Sequence, residues 1–161
     1  MKIKFTPEVL RDLKVQICKS LKDTFHIMFG LEIALSSPPP ESTRNNHDYT
    51  AYAELHNATT RTFLAITIPY DVAEKSLIAL KNNSDGASPE MMQDMANEVT
   101  NVIVHAIRSY LIHTQGIVLD VKTPSANKPD MNDPDMDVES LYFLIKSNEV
   151  VDVDFSYPKS S

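Results

Sequence analysis

Gly30-Leu-Glu-Ile-Ala-Leu-Ser-Ser-Pro38 and Gly116-Ile-Val-Leu-Asp-Val-Lys-Thr-Pro124 stand 86 positions apart and align without a gap. The chain has three glycines, and two of them occupy the first position of this pair of segments. After each glycine the apolar residues alternate: Leu31, Ile33 and Leu35 in one copy, Ile117, Leu119 and Val121 in the other. That alternation predicts two equivalent half-buried strands. A glycine just before each is suited to ending a helix in the left-handed conformation.

Upstream of the glycines the match continues. Val9, Leu13, Ile17, Leu21 and Phe25 fall on Met95, Val99, Ile103, Ile107 and Leu111, an apolar helical stripe in both halves. Thr6-Pro7-Glu8 and Ser88-Pro89-Glu90 supply helix starts, each with a hydroxyl cap and a proline in the first turn. Downstream, Pro-rich polar loops over Pro38–Asn46 and Pro124–Asp137 lead into paired strands. These are expected near Tyr49–Leu55 and Arg61–Pro69, then Ser140–Ile145 and Val150–Tyr157. A helix from about Asp71 to Leu80 links the halves and ends at the turn-rich Asn82-Asn-Ser-Asp-Gly86. The expected fold is α+β, in the order α-β-β-β-α-α-β-β-β, with two long helices packed on an antiparallel sheet. The halves run over about 5–70 and 88–157, joined by 71–83, within one domain of 1–161.

A chain of 161 residues suits a single domain that buries roughly two-thirds of its unfolded surface. The net charge of -7 argues against nucleic acid or an anionic membrane as the main partner. Cys18 is the only cysteine, so no internal disulfide forms, and it is expected as a small buried hydrophobe on the first helix. The first residues, Met1 to Glu8, contain no uninterrupted apolar run. The sequence is therefore expected to lack a secretory signal and a membrane span, and to belong to the cytoplasm.

The second long helix carries the candidate chemistry. At about 100° per residue, Asp94, Asn97, Glu98, Asn101, His105 and Arg108 fall on one polar arc. Met92, Met95, Val99, Val102, Ile103, Ala106 and Tyr110 lie opposite and are expected to be buried. Asparagine is a poor helix-interior residue because its side chain competes for backbone hydrogen bonds. Two asparagines within five residues, both facing outward, call for a reason other than helix propensity.

Asp94, Glu98 and Asn101, with Pro124 23 residues later, form the pattern Asp-x3-Glu-x2-Asn-x22-Pro. This pattern, set in the two-fold repeat, resembles the CheC/CheX/FliY family of chemotaxis phosphatases and looks most like its CheX branch. The resemblance implies hydrolysis of the phospho-aspartate of a CheY-like receiver domain. In that role Asn101 would enter the receiver's active site and place the attacking water, and Glu98 would pair with the receiver's active-site lysine. Asp94, Asn97, His105 and Arg108 would line the contact surface, while Pro124 would be structural. The chain would bind no metal of its own, since Mg2+ belongs to the receiver, and a homodimer is implied. On the first helix the same positions are Glu8, Asp12 and Val15, with Pro38 at the matching distance. Valine cannot orient a water, so one active site is expected rather than two. His105 departs from the small residue common at that position in the family.

Other constellations carry less. Asp130 to Glu139 faintly resembles a calcium loop, but a proline stands at the third ligand and the turn glycine is missing. The five histidines include no metal-binding spacing, and no Gly-rich phosphate loop or nucleophile elbow occurs. Two non-enzymatic alternatives remain open at this point: an adaptor that binds a phosphorylated receiver without hydrolysing it, and a structural dimer of the same fold.

Overall fold

The structure, a computed structural model, describes residues 3–38, 48–81, 88–130, 133–145 and 149–159. The expected loop after Pro38, the turn Asn82–Gly86, and Met131 and Asn132 of the acidic loop lie outside the described residues. The elements are α1 (Pro7–Phe29), β1 (Ile33–Ser36), β2 (Tyr49–His56), β3 (Arg61–Ile68), α2 (Tyr70–Lys81), α3 (Pro89–Gln115), β4 (Asp120–Ser125), β5 (Met136–Ile145) and β6 (Val150–Pro158). Type and order agree with the sequence expectation.

Both long helices start and stop as their sequences dictate. Thr6 Oγ1 accepts from the Val9 amide at 3.2 Å, and Ser88 Oγ accepts from the Met91 amide at 3.2 Å. Each hydroxyl satisfies one of the first-turn N–H groups that have no partner within the helix. Gly30 and Gly116 end α1 and α3 with φ of 63° and 65°, a conformation strained for any residue with a Cβ. α3 has 27 residues and α1 has 23, so α3 carries about one more turn, added at its N-terminus.

The six strands form one antiparallel sheet in the order β1-β5-β6-β3-β2-β4. Exchange each strand for its repeat partner and the order reads the same from the other edge. The pseudo-two-fold axis therefore passes between β3 and β6. Each half lends its first strand to the other: β1 pairs with β5, and β4 pairs with β2.

The helices cover one face of this sheet. Leu13, Ile17, Leu21 and Phe25 of α1 are buried, as are Met95, Val99, Ile103, Ile107 and Leu111 of α3. Each such side chain contributes on the order of 1.5–3 kcal/mol on burial. The helices run antiparallel. Gln115, at the end of α3, accepts from the Lys4 amide at 3.1 Å and donates to the Lys4 carbonyl at 3.2 Å, just before α1 begins.

Three local expectations need correction. Val102 is not on the buried side but 38% exposed, and Ala106 and Tyr110 are only half-buried. The reason is the spacing of the core positions. Steps of four residues from Met95 to Leu111 wind the stripe around the helix by about 40° each, which moves Val102 off it. Leu35 is 52% exposed at the sheet edge rather than half-buried. Finally, β4 continues through Pro124 to Ser125, where a loop was expected to begin. β4 is an edge strand, so the missing proline N–H breaks no inner ladder. Its register with β2 shifts between Tyr52↔Ser125 and Glu54↔Lys122, one residue intervening on β2 and two, Thr123 and Pro124, on β4.

Candidate functional site on the outer face of α3

α3 packs on β2 and β4 of the sheet and, along its side, on α1, so its remaining face points outward. Asp94, Glu98 and His105 are exposed on that face, and Asn97, Asn101 and Arg108 are half-buried. The first to the last span about 21 Å of helix at 1.5 Å per residue. Pro124, the fourth member of the sequence pattern, is not on this surface. It is a buried residue of β4.

The arc divides into tethered and free groups. Arg108 donates from Nε to the Leu119 carbonyl at 2.6 Å, fastening α3 to the segment that enters β4. Asn97 accepts at Oδ1 from Gln93 Nε2 at 3.0 Å, and the same nitrogen donates to the Thr50 carbonyl of β2 at 3.0 Å. By contrast, the side chains of Asp94, Glu98, Asn101 and His105 have no hydrogen bond or ion pair among the described residues. Two carboxylates, a carboxamide and an imidazole thus stand on one rigid helix with their polar atoms available. A carboxamide offers an acceptor oxygen and two donors without net charge, and a carboxylate offers only acceptors. Such a face can take up a cation beside an anion or a water.

Gln93 did not emerge from the sequence reading, although a signal was there. Glutamine four residues before asparagine on a helix is a known hydrogen-bonding pair. The tether from Arg108 to a main-chain carbonyl had no sequence signal.

The corresponding face of α1 is different. Asp12, matching Glu98, accepts from the Tyr110 hydroxyl of α3 at 3.1 Å. Burial, with the Asp12 hydrogen bond next, pushes the Tyr110 phenol above its ordinary value. Val15, in the position matching Asn101, is 58% exposed and carries no polar atom. No group of three His, Cys, Asp or Glu side chains that could hold a metal ion occurs among the described residues.

No protein-family model and no curated protein matches the chain. Solved structures do. The chemotaxis protein CheX from Vibrio vulnificus superposes with a TM-score of 0.70 at 18% identity, over 91% of this chain and 96% of that one. A CheX-CheY-BeF3-Mg+2 complex from Borrelia burgdorferi gives 0.69 at 15% identity, over 92% and 99%. FliY from Thermotoga maritima gives 0.56 at 12%, over 96% and 91%. The outward helix face described above therefore sits on the fold shared by the CheX and CheC-like chemotaxis proteins.

Proposed function

We propose that this chain is a CheX-type phosphatase acting on the phospho-aspartate of a CheY-like receiver domain, with α3 as the docking helix. The observation that carries the reading is the set Asp94, Glu98, Asn101 and His105 on one face of α3, without partners among the described residues, in a fold whose solved neighbours include CheX in complex with CheY.

The chemistry asks little of the catalyst. An acyl phosphate has a good leaving group, and phosphoryl transfer passes through a loose transition state in which positioning matters most. Water oxygen attacks phosphorus in line, the bond to the aspartyl oxygen breaks, and the carboxylate departs with the electron pair. The attacking water releases its proton to the phosphate product or to solvent, so no side chain of this chain has to take it. Asn101 accepts a hydrogen bond from that water through its carboxamide oxygen and brings no charge that would repel the phosphoryl group. Glu98, one turn earlier, pairs with the receiver's lysine and fixes the register of the two proteins. Mg2+ is supplied by the receiver and neutralises charge on the phosphoryl oxygens. Asp94, Asn97, His105 and Arg108 lie along the contact. Family resemblance adds a cytoplasmic homodimer; light scattering giving a monomer mass would remove the dimer.

The deciding experiment follows loss of phosphate from a phosphorylated CheY receiver. Wild-type protein should accelerate it, and Asn101→Ala should remove at least about a hundredfold of that acceleration while keeping the wild-type Tm. A variant with full activity would dismiss the assigned role. Binding without acceleration by the wild type would instead favour an adaptor.

A further inference from the structure

Gln93 precedes Asn97 by one helical turn, and its Nε2 lies 3.0 Å from the Thr50 carbonyl oxygen and 3.0 Å from Asn97 Oδ1. A main-chain carbonyl can only accept a hydrogen bond, so Gln93 has to present its NH2 group to β2. An NH2 group can only donate, so Asn97 has to turn its oxygen toward Gln93. The orientation of the Asn97 amide follows by elimination, and its own NH2 group is turned away from Gln93. Asn97 stands four residues before Asn101, its neighbour on the same helix face.

We propose that Gln93 is a positioning residue that locks Asn97 as a fixed pair of N–H donors toward an acceptor oxygen at the rim of the receiver's phosphorylation site. The inference rests on the function proposed above and deepens it by giving this part of the contact a polarity. Asp94 and Glu98 supply only acceptors; Asn97 supplies donors beside them, at the edge of the arc toward β2. An amide held in one rotamer before the partner arrives has little ordering left to undergo on binding.

The test has an arm that needs no partner. In the free protein, NMR should show hydrogen-bond scalar coupling from the Gln93 side-chain nitrogen to the Thr50 carbonyl, and slowed exchange of the Gln93 side-chain amide protons. Absence of both overturns the lock. The second arm measures affinity for a phosphorylated CheY receiver. Asn97→Asp still accepts from Gln93 but offers acceptors outward, and it should weaken binding by about tenfold or more with an unchanged Tm. Wild-type affinity in that variant overturns the donor role. Gln93→Met should weaken binding less, and should add nothing in the Asn97→Asp background, because it acts only through Asn97. Additive losses would assign Gln93 a general structural role instead. A wild-type chain that binds no phosphorylated receiver overturns the proposed function together with this occupant, and the NMR arm then judges the lock alone.

Discussion

The two long helices are built alike on the inside and differ on the outside. Each has a hydroxyl cap, a proline in the first turn, an apolar stripe stepping by four residues and a left-handed glycine at the end. Facing solvent, α3 presents Asp94, Glu98, Asn101 and His105 without partners among the described residues, whereas at two of the matching positions α1 has Asp12 bonded to Tyr110, and Val15. Packing acts on one side of a helix and leaves the other free to change. The repeat has therefore kept its core on both helices, and a carboxamide at the Asn101 position, where α1 has Val15, on only one.

If the inner faces are equivalent, trimming them should cost the same. Ile17→Ala and Ile103→Ala remove matched side chains that are 1% and 0% exposed, and each is expected to lower stability by about 2–5 kcal/mol in denaturant melts. A loss confined to one helix would break the equivalence. The outer faces should behave oppositely. Glu98→Ala should weaken association with a phosphorylated receiver by about tenfold or more, while Asp12→Ala, at the matching position, should leave it unchanged in the same titration. Equal effects would mean that the receiver meets both helices.

A smaller effect tests the tie between the helices. Tyr110→Phe removes the hydroxyl that holds Asp12 and should cost about 1 kcal/mol at most, since the pair is exposed. The gain of a second active site is not expected from it, because Val15 still cannot hold a water.

The halves also differ at their ends. Thr60, before β3, accepts from the Ile3 amide at 3.3 Å. Before β6 the corresponding place holds Glu149, in a cleft of about 120 Å³ walled by Phe29, Leu31, Val72 and Ile145. Glu149 Oε2 and Ser76 Oγ have no hydrogen-bond partner among the described residues. Burial, with Asp71 next, raises the Glu149 carboxyl above its ordinary value, against the lowering effect of Lys75. An acid with a raised value in the folded state binds its proton more tightly there than when unfolded. Its stabilising contribution is full below the ordinary carboxyl range and is lost as pH rises through the raised value. Glu149→Gln should therefore raise Tm slightly at neutral pH and flatten its dependence on pH above the ordinary carboxyl range. A variant less stable than wild type at neutral pH would contradict the assignment.

Much of this was legible in the sequence because caps, glycines and apolar spacing act locally. Ser88, Gly116 and the stripe from Met95 to Leu111 each specify a neighbourhood of one or two turns, and the structure agrees with all of them. What escaped depended on distant partners. Val102 was assigned to the wrong side because a straight projection ignores how the stripe winds. The length of β4 was missed because a proline is admissible only if the strand is at an edge, and strand order is not local information. The bonds of Gln93 to Thr50 and of Arg108 to Leu119 connect elements whose adjacency exists only after folding.

The exchange of first strands between the halves has a consequence for how the chain is made. β1 waits for β5, with Ile33 opposite Ile145 across 112 residues of chain. A nascent chain that has emerged only as far as α3 contains β2 together with its partner β3, but β1 still lacks β5 and β2 still lacks β4. The sheet closes only when the last two strands arrive, so neither half by itself holds the partner of its own first strand.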